Sequence, residues 1–222
     1  MSHCHDEHSH SHGGDDHGHT HDHSDDITPA VQNILHTQID FPRLLTLNEH
    51  VSDSGRRICQ KTWVQRLDPD PELVSSADEQ LLMIVPFTGQ VRLHSIILRT
   101  SAAPCSPKTL KVFVNPAEGF DFDTASSTAP TQVLEVSMTS EIQEIPVRRV
   151  LFSTTRSLAL FIEDNWSNGE DEETRLGYVA FKGDFLKLNR EAVSVLYESA
   201  ANPRDHKVKG VGVGEGVGRS IQ

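Results

Sequence analysis

The chain has 222 residues, 36% of them hydrophobic and 23% charged, with a net charge of −12. No apolar run is long enough for a transmembrane helix, and the first thirty residues have no apolar core of the signal-peptide kind. So acidic a balance gives no electrostatic footprint for nucleic acid or an anionic membrane surface. Three cysteines, an odd number with no CxxC pair, argue against a disulfide framework or dithiol redox chemistry, and point to cytoplasm and nucleus.

In chain order, residues 1–26 are low complexity, with seven acids, no Lys or Arg, and almost nothing to bury, so a disordered arm is expected. Thr28-Pro29 then opens a short helix, Ala30 to His36, with Val31, Ile34 and Leu35 on one side. Ile39–Leu47 is apolar but interrupted by Pro42, which leaves its type open. Arg57–Gln65 alternates as a strand does and ends in the loop Asp68-Pro69-Asp70-Pro71. Leu81–Phe87 and Val91–Leu98 read as two strands of a hairpin reversed at Thr88-Gly89-Gln90, with Pro86 marking a strand end or edge. In the second run Val91, Leu93, Ser95 and Ile97 share one face, and Arg92, His94, Ile96 and Leu98 the other. Both faces are therefore expected to be at least partly buried, which makes this hairpin the core candidate.

Thr109–Asn115 alternates cleanly, and Pro116–Thr131 is a long polar connection whose Phe120 and Phe122 are expected to tuck back onto the core. Val133–Val136, Glu144–Val147, Val150–Ser153, Leu158–Glu163, Gly177–Phe181 and Ser194–Tyr197 complete the strands, with the acidic loop Ser167–Thr174 before Gly177–Phe181. Short strands at such intervals, without long amphipathic helices, predict an all-β antiparallel sandwich or barrel in one domain over 27–206. Residues 207–222, with five glycines, read as a flexible tail.

The arm carries His3, His5, His8, His10, His12, His17, His19, His21 and His23. Neutral imidazole is a strong ligand for zinc, nickel and copper, and a flexible chain can gather several around one ion. Without a folded shell such ligation has little selectivity, so uptake is expected to be adventitious and no cofactor is required. Cys59 and Cys105 read as small packing groups and His94 as a satisfied histidine in a core strand. Asp164, Glu170, Asp171, Glu172 and Glu173 read as a solvated charge run, with calcium coordination the lesser reading. No segment offers a catalytic constellation, so a non-enzyme is expected. Asn202-Pro203-Arg204-Asp205-His206 stands out as a restricted polar exit from the domain, a candidate partner contact beside the simpler reading of an edge turn.

Three stretches, Asp78–Ile96 (DEQLLMIVPFTGQVRLHSI), Gly177–Phe185 (GYVAFKGDF) and Tyr197–Val208 (YESAANPRDHKV), resemble the PITH domain, the proteasome-interacting thioredoxin-like C-terminal domain, in its stand-alone form. The resemblance covers about residues 37–208. It implies a β-sandwich of jelly-roll, galactose-binding-like type and association with the regulatory particle of the 26S proteasome. Redox activity does not carry over, because this chain has neither a thioredoxin domain nor CxxC. Metal buffering by the His-rich arm, and a carbohydrate- or peptide-binding jelly roll walled by Trp63, Trp166, Tyr178 and Tyr197, are the competing readings.

Overall fold

The computed structural model describes residues 31–170 and 173–186. The expectations for the arm, Ser194–Tyr197, Asn202–His206 and the tail fall outside them. The chain enters through 3-10 turns at His36–Gln38 and Phe41–Arg43, the second with Pro42 next to its start, and forms β1 (Leu45–Leu47). Helix α1 (Ser54–Gln60), a further 3-10 turn at Val64–Leu67 and β2 (Leu73–Val74) follow. The remaining elements are β3 (Leu81–Arg99), β4 (Pro107–Val114), α2 (Phe122–Ser127), β5 (Gln132–Glu135), β6 (Ile142–Pro146), β7 (Thr155–Asn165), β8 (Arg175–Leu176) and β9 (Tyr178–Leu186).

The expected hairpin is in fact the single 19-residue strand β3. At about 3.3 Å per residue it would span roughly 60 Å, against about 40 Å for the breadth of a domain of this size, so it serves two layers. Its first half lies inside the sheet ordered β1-β3-β7-β4-β5, and its second half is flanked by β6 and β9. All pairings are antiparallel, and β2 and β8 form a separate ribbon. One core draws Leu81, Met83 and Val85 from the first half of β3, Val91, Leu93, Ile96 and Leu98 from the second, and Leu110, Leu160 and Phe181 from its neighbours. The fold is thus an all-β antiparallel sandwich of jelly-roll type, whose two layers share a strand.

Two irregularities let β3 do this. Register with β7 shifts between Pro86 and Val91, across the stretch expected to reverse. Gly89 serves there to admit a ring, since a Cβ on it would lie 2.8 Å from Phe185. Pro86 sits mid-strand, opposite Ser157 of β7. Its carbonyl accepts from Asp40 N–H on the other side, beyond the end of β1, so its missing donor disrupts no ladder there. Further on, register with β9 shifts between Leu93 and Ser95, a β-bulge at His94. The bulge resets the alternation: Ile96 and Leu98 join Val91 and Leu93 in the core, while Ile97 packs on the outer face with Tyr178 and Ala180. Both faces are buried, as expected, but with the phase changed halfway.

Other expectations are corrected. Arg57–Gln65 is α1 and a 3-10 turn, because Ser54, Gly55, Ile58 and Cys59 make a buried stripe at helical spacing. The Glu49 carboxylate caps this helix, accepting from the Asp53 and Gly55 amides. Val150–Ser153 is a turn, closed by Leu151 N–H to Arg148 and Phe152 N–H to Arg149, with only Phe152 buried. The first helix reduces to a turn at 31–33, a bridge from Ile34 to Lys182 and the 3-10 turn at His36. Phe120 and Phe122 do fold back, covering Leu82, Phe113 and Phe161 on the outer face of the larger layer, and α2 forms beside them with Asp121 as its N-cap.

Gly183, opposite the bulge, leaves no room for a side chain: a Cβ would run into the Arg92 carbonyl. Gly183→Ala is therefore expected to cost about 1–3 kcal/mol and more than Gly89→Ala, whose neighbour is a movable ring. Chemical denaturation of the two variants checks the order, and equal losses would count against the packing account.

Candidate interaction surface

The bulge turns His94 to the outer face of the smaller layer, where its Nε2 lies 3.1 Å from Asp184 Oδ2. Next to this pair the buried Ser95 hydroxyl donates to Glu144 Oε1 at 2.7 Å, and Lys182 Nζ donates to Glu144 Oε2 at 2.9 Å. Burial pushes the Glu144 carboxyl up, but hydrogen bonds from Lys182 and Ser95, with the Lys182 charge, outweigh it and leave the group below the ordinary carboxylate value. Serine, histidine and aspartate are thus neighbours here without forming a relay. The Ser95 hydroxyl donates its hydrogen bond to Glu144 and not to His94, so Ser95 is not positioned as a nucleophile that His94 activates. The cluster fastens β6, the bulge and β9 together.

A different surface lies beside the register shift of β3. An open groove of about 520 Å³ has Ile84, Pro86 and Phe87 as its apolar floor, Thr88, Gln90 and Ser157 as polar margins, and Arg43 and Arg156 at its rim. Arg43 is tied only loosely, 3.9 Å from Asp40 with its side chain 80% exposed. Arg156 makes no ion pair among the described residues. In a chain of net charge −12, two such guanidiniums over an apolar floor suit carboxylate-bearing, partly apolar segments. Arginine is also enriched where protein surfaces meet.

Elsewhere the side chains singled out from sequence are mostly absorbed by packing. Cys59 and Cys105 are buried, and burial pushes the Cys59 thiol up to about 12. Trp63 packs against the outer cluster of Ile97 and Tyr178, with the Arg66 guanidinium 4.3 Å from its ring centroid. Tyr178 is buried, so these two rings do not wall an open pocket. Trp166 is 37% exposed, and its indole N–H donates to the Val136 carbonyl. Within the acidic run Asp164 accepts from the Thr109 amide and Glu173 pairs with Arg175. Among the described residues no three His, Cys, Asp or Glu side chains gather as a metal site. Sequence reasoning missed Lys61, a buried ammonium that donates to the Asp68 and Gly177 carbonyls. Burial first, and then the Arg99 charge, lower its pKa. It missed the groove as well, since nothing local links Arg43 to Arg156.

The PITH domain family model matches residues 25–201. A PITH domain-containing protein of Schizosaccharomyces pombe is 34% identical over 175 residues, 78% of this chain and 83% of that protein. PITH domain-containing protein 1 of Homo sapiens is 35% identical over 176 residues, 78% of this chain and 81% of the relative. Among solved structures, the family 32 CBM from C. perfringens NanJ, in complex with galactose, is similar with a TM-score of 0.46 and 6% identity over 67% of this chain and 97% of its own. The C-terminal domain of a chitobiase from Bacteroides fragilis gives 0.44 and 13% over 68% and 95%.

A carboxyl held below its unfolded pKa stabilises the fold above that unfolded value, about 4.3, and ceases to as pH falls through the folded one. The stability difference between this chain and Glu144→Gln is therefore expected to shrink as pH is lowered from about 6 to about 3. Urea titrations across that range check it, and a gap independent of pH would contradict the role given to Lys182 and Ser95.

Proposed function

The chain belongs to the PITH domain family, and from that membership we propose that it is a non-catalytic protein-interaction module that associates with the regulatory particle of the 26S proteasome in cytoplasm and nucleus. Family membership is the observation that carries this reading. The groove at Arg43 and Arg156 supports it as a surface whose guanidiniums are at most loosely paired among the described residues. The segment Asn202–His206 and the residues after it are the second contact in this proposal, binding by adding a strand to a partner's sheet.

The test is a pull-down from native lysate with a tag other than polyhistidine, assaying the eluate for proteasome peptidase activity. Activity is expected to copurify, to fall on deletion of Lys207–Gln222, and to fall again when Arg43 and Arg156 are both changed to Glu. Eluates free of activity, from protein shown to be folded, would end the proteasome reading. Retained activity in the double variant would remove the groove from it.

A second reading rests on the nine histidines interleaved with acids in residues 1–26, a donor set suited to zinc, nickel or copper. It predicts sub-micromolar binding by calorimetry that disappears when those residues are removed. Dissociation constants in the high micromolar range would reduce the arm to a solvated leader.

A further inference from the structure

We propose that Asn168-Gly169 is a site of spontaneous covalent modification, at which Asn168 deamidates through a cyclic imide to Asp or isoAsp with help from Lys108. The pair sits in the exposed turn after β7, with Asn168 at φ 56 and Gly169 at φ 91. A Cβ placed on Gly169 would meet nothing within 4 Å, so the approach to this backbone is open. Among the described residues no group accepts from the Gly169 amide, which leaves that nitrogen uncommitted. The Asn168 amide is held with its carbonyl oxygen facing a charge. Lys108 Nζ donates to Oδ1 at 3.0 Å, whereas Nδ2 reaches the Trp166 carbonyl only at 3.4 Å.

Each group has a place in the chemistry. The Gly169 nitrogen bonds to Asn168 Cγ as its proton passes to solvent base. Negative charge then develops on Oδ1, where the Lys108 ammonium already sits. Collapse breaks the Cγ–Nδ2 bond, and ammonia leaves with a proton taken from solvent. Water finally opens either carbonyl of the imide, giving Asp, or isoAsp with an extra methylene in the main chain. The sum is amide plus water to carboxylate plus ammonium, with no oxidant or cofactor. The Asp product replaces a neutral partner of Lys108 by an anion, turning the existing 3.0 Å hydrogen bond into an ion pair. Modification thus adds a negative charge beside Lys108, the cation that lies over the exposed Trp166 ring.

The test follows the full chain in mildly alkaline buffer at physiological temperature by peptide mapping. It reads the mass gain of exchanging NH2 for OH, with isoAsp counted by enzymatic methyl transfer. Asn168 is expected to convert an order of magnitude faster than Asn33 or Asn48, which precede Ile34 and Glu49. Asn115 is an internal control, because Pro116 has no amide hydrogen to lose. Lys108→Gln, with its fold verified by circular dichroism, is expected to slow Asn168 several-fold. Conversion of Asn168 no faster than of Asn33 and Asn48 would overturn the site. An unchanged rate in Lys108→Gln would overturn the assistance.

Discussion

The rest of the structure depends on β3 belonging to both layers. A strand shared in this way has two inner faces that point into one core from opposite sides, and its alternation must be re-phased where it passes between them. The bulge at His94 does that by inserting one residue against β9. From this requirement follows the bareness of Gly183, whose missing side chain lets the Arg92 carbonyl approach. The bareness of Gly89, over which the Phe185 ring lies, belongs to the same passage. Apolar burial supplies the driving force, but these backbone approaches decide whether the two layers can close on a single core.

Buried polar groups mark where chain segments without ladder partners are fastened. Lys61 joins the loop at Asp68 to the start of β9 by satisfying two carbonyls with one ammonium. Its lowered pKa reflects the cost of keeping a cation away from water and, after that, the Arg99 charge. Glu49 performs the complementary service for α1, taking up amides that a seven-residue helix cannot pair internally. Thr174 ties Glu79 to the strand pair β2 and β8: its hydroxyl donates to the Glu79 carbonyl and its amide to the Ser75 hydroxyl. Together with the burial of Ile58, Cys59 and Leu73, these groups hold the irregular stretch between β1 and β3 on the sheets.

Legibility in the sequence follows the same division. Thr109–Asn115 and Leu158–Glu163 were readable as strands because one face of each is apolar over its full length. Helix α1 was hidden because the inner positions of its first turn are Ser54 and Gly55, which give no hydrophobic signal. The hairpin misreading came from Pro86 and Gly89. Both are turn formers taken locally, yet here they are governed by Asp40 and Phe185, residues distant in the chain. A bulge cannot be seen in one strand at all, since it is a mismatch between two. The groove was illegible for a related reason: Arg43 and Arg156 meet only through the paths of β3 and β7. The three PITH stretches, by contrast, were recognisable as plain strings.

Commitment of side chains separates the two charged regions on this surface. His94, Asp184, Glu144, Lys182 and Ser95 satisfy one another, and exposed ion pairs of that kind contribute little energy while fixing geometry. A partner contacting them would have to break bonds before making any. At the groove the reverse holds. Among the described residues Arg43 has only the loose contact with Asp40 to give up and Arg156 no ion pair, and the half-buried Ile84 and Pro86 offer apolar area. Association gains most where the free surface has least to lose, because desolvation and broken pairs subtract directly from affinity. On that ground the seam of β3 is better suited to recognition than the histidine cluster that its bulge displays.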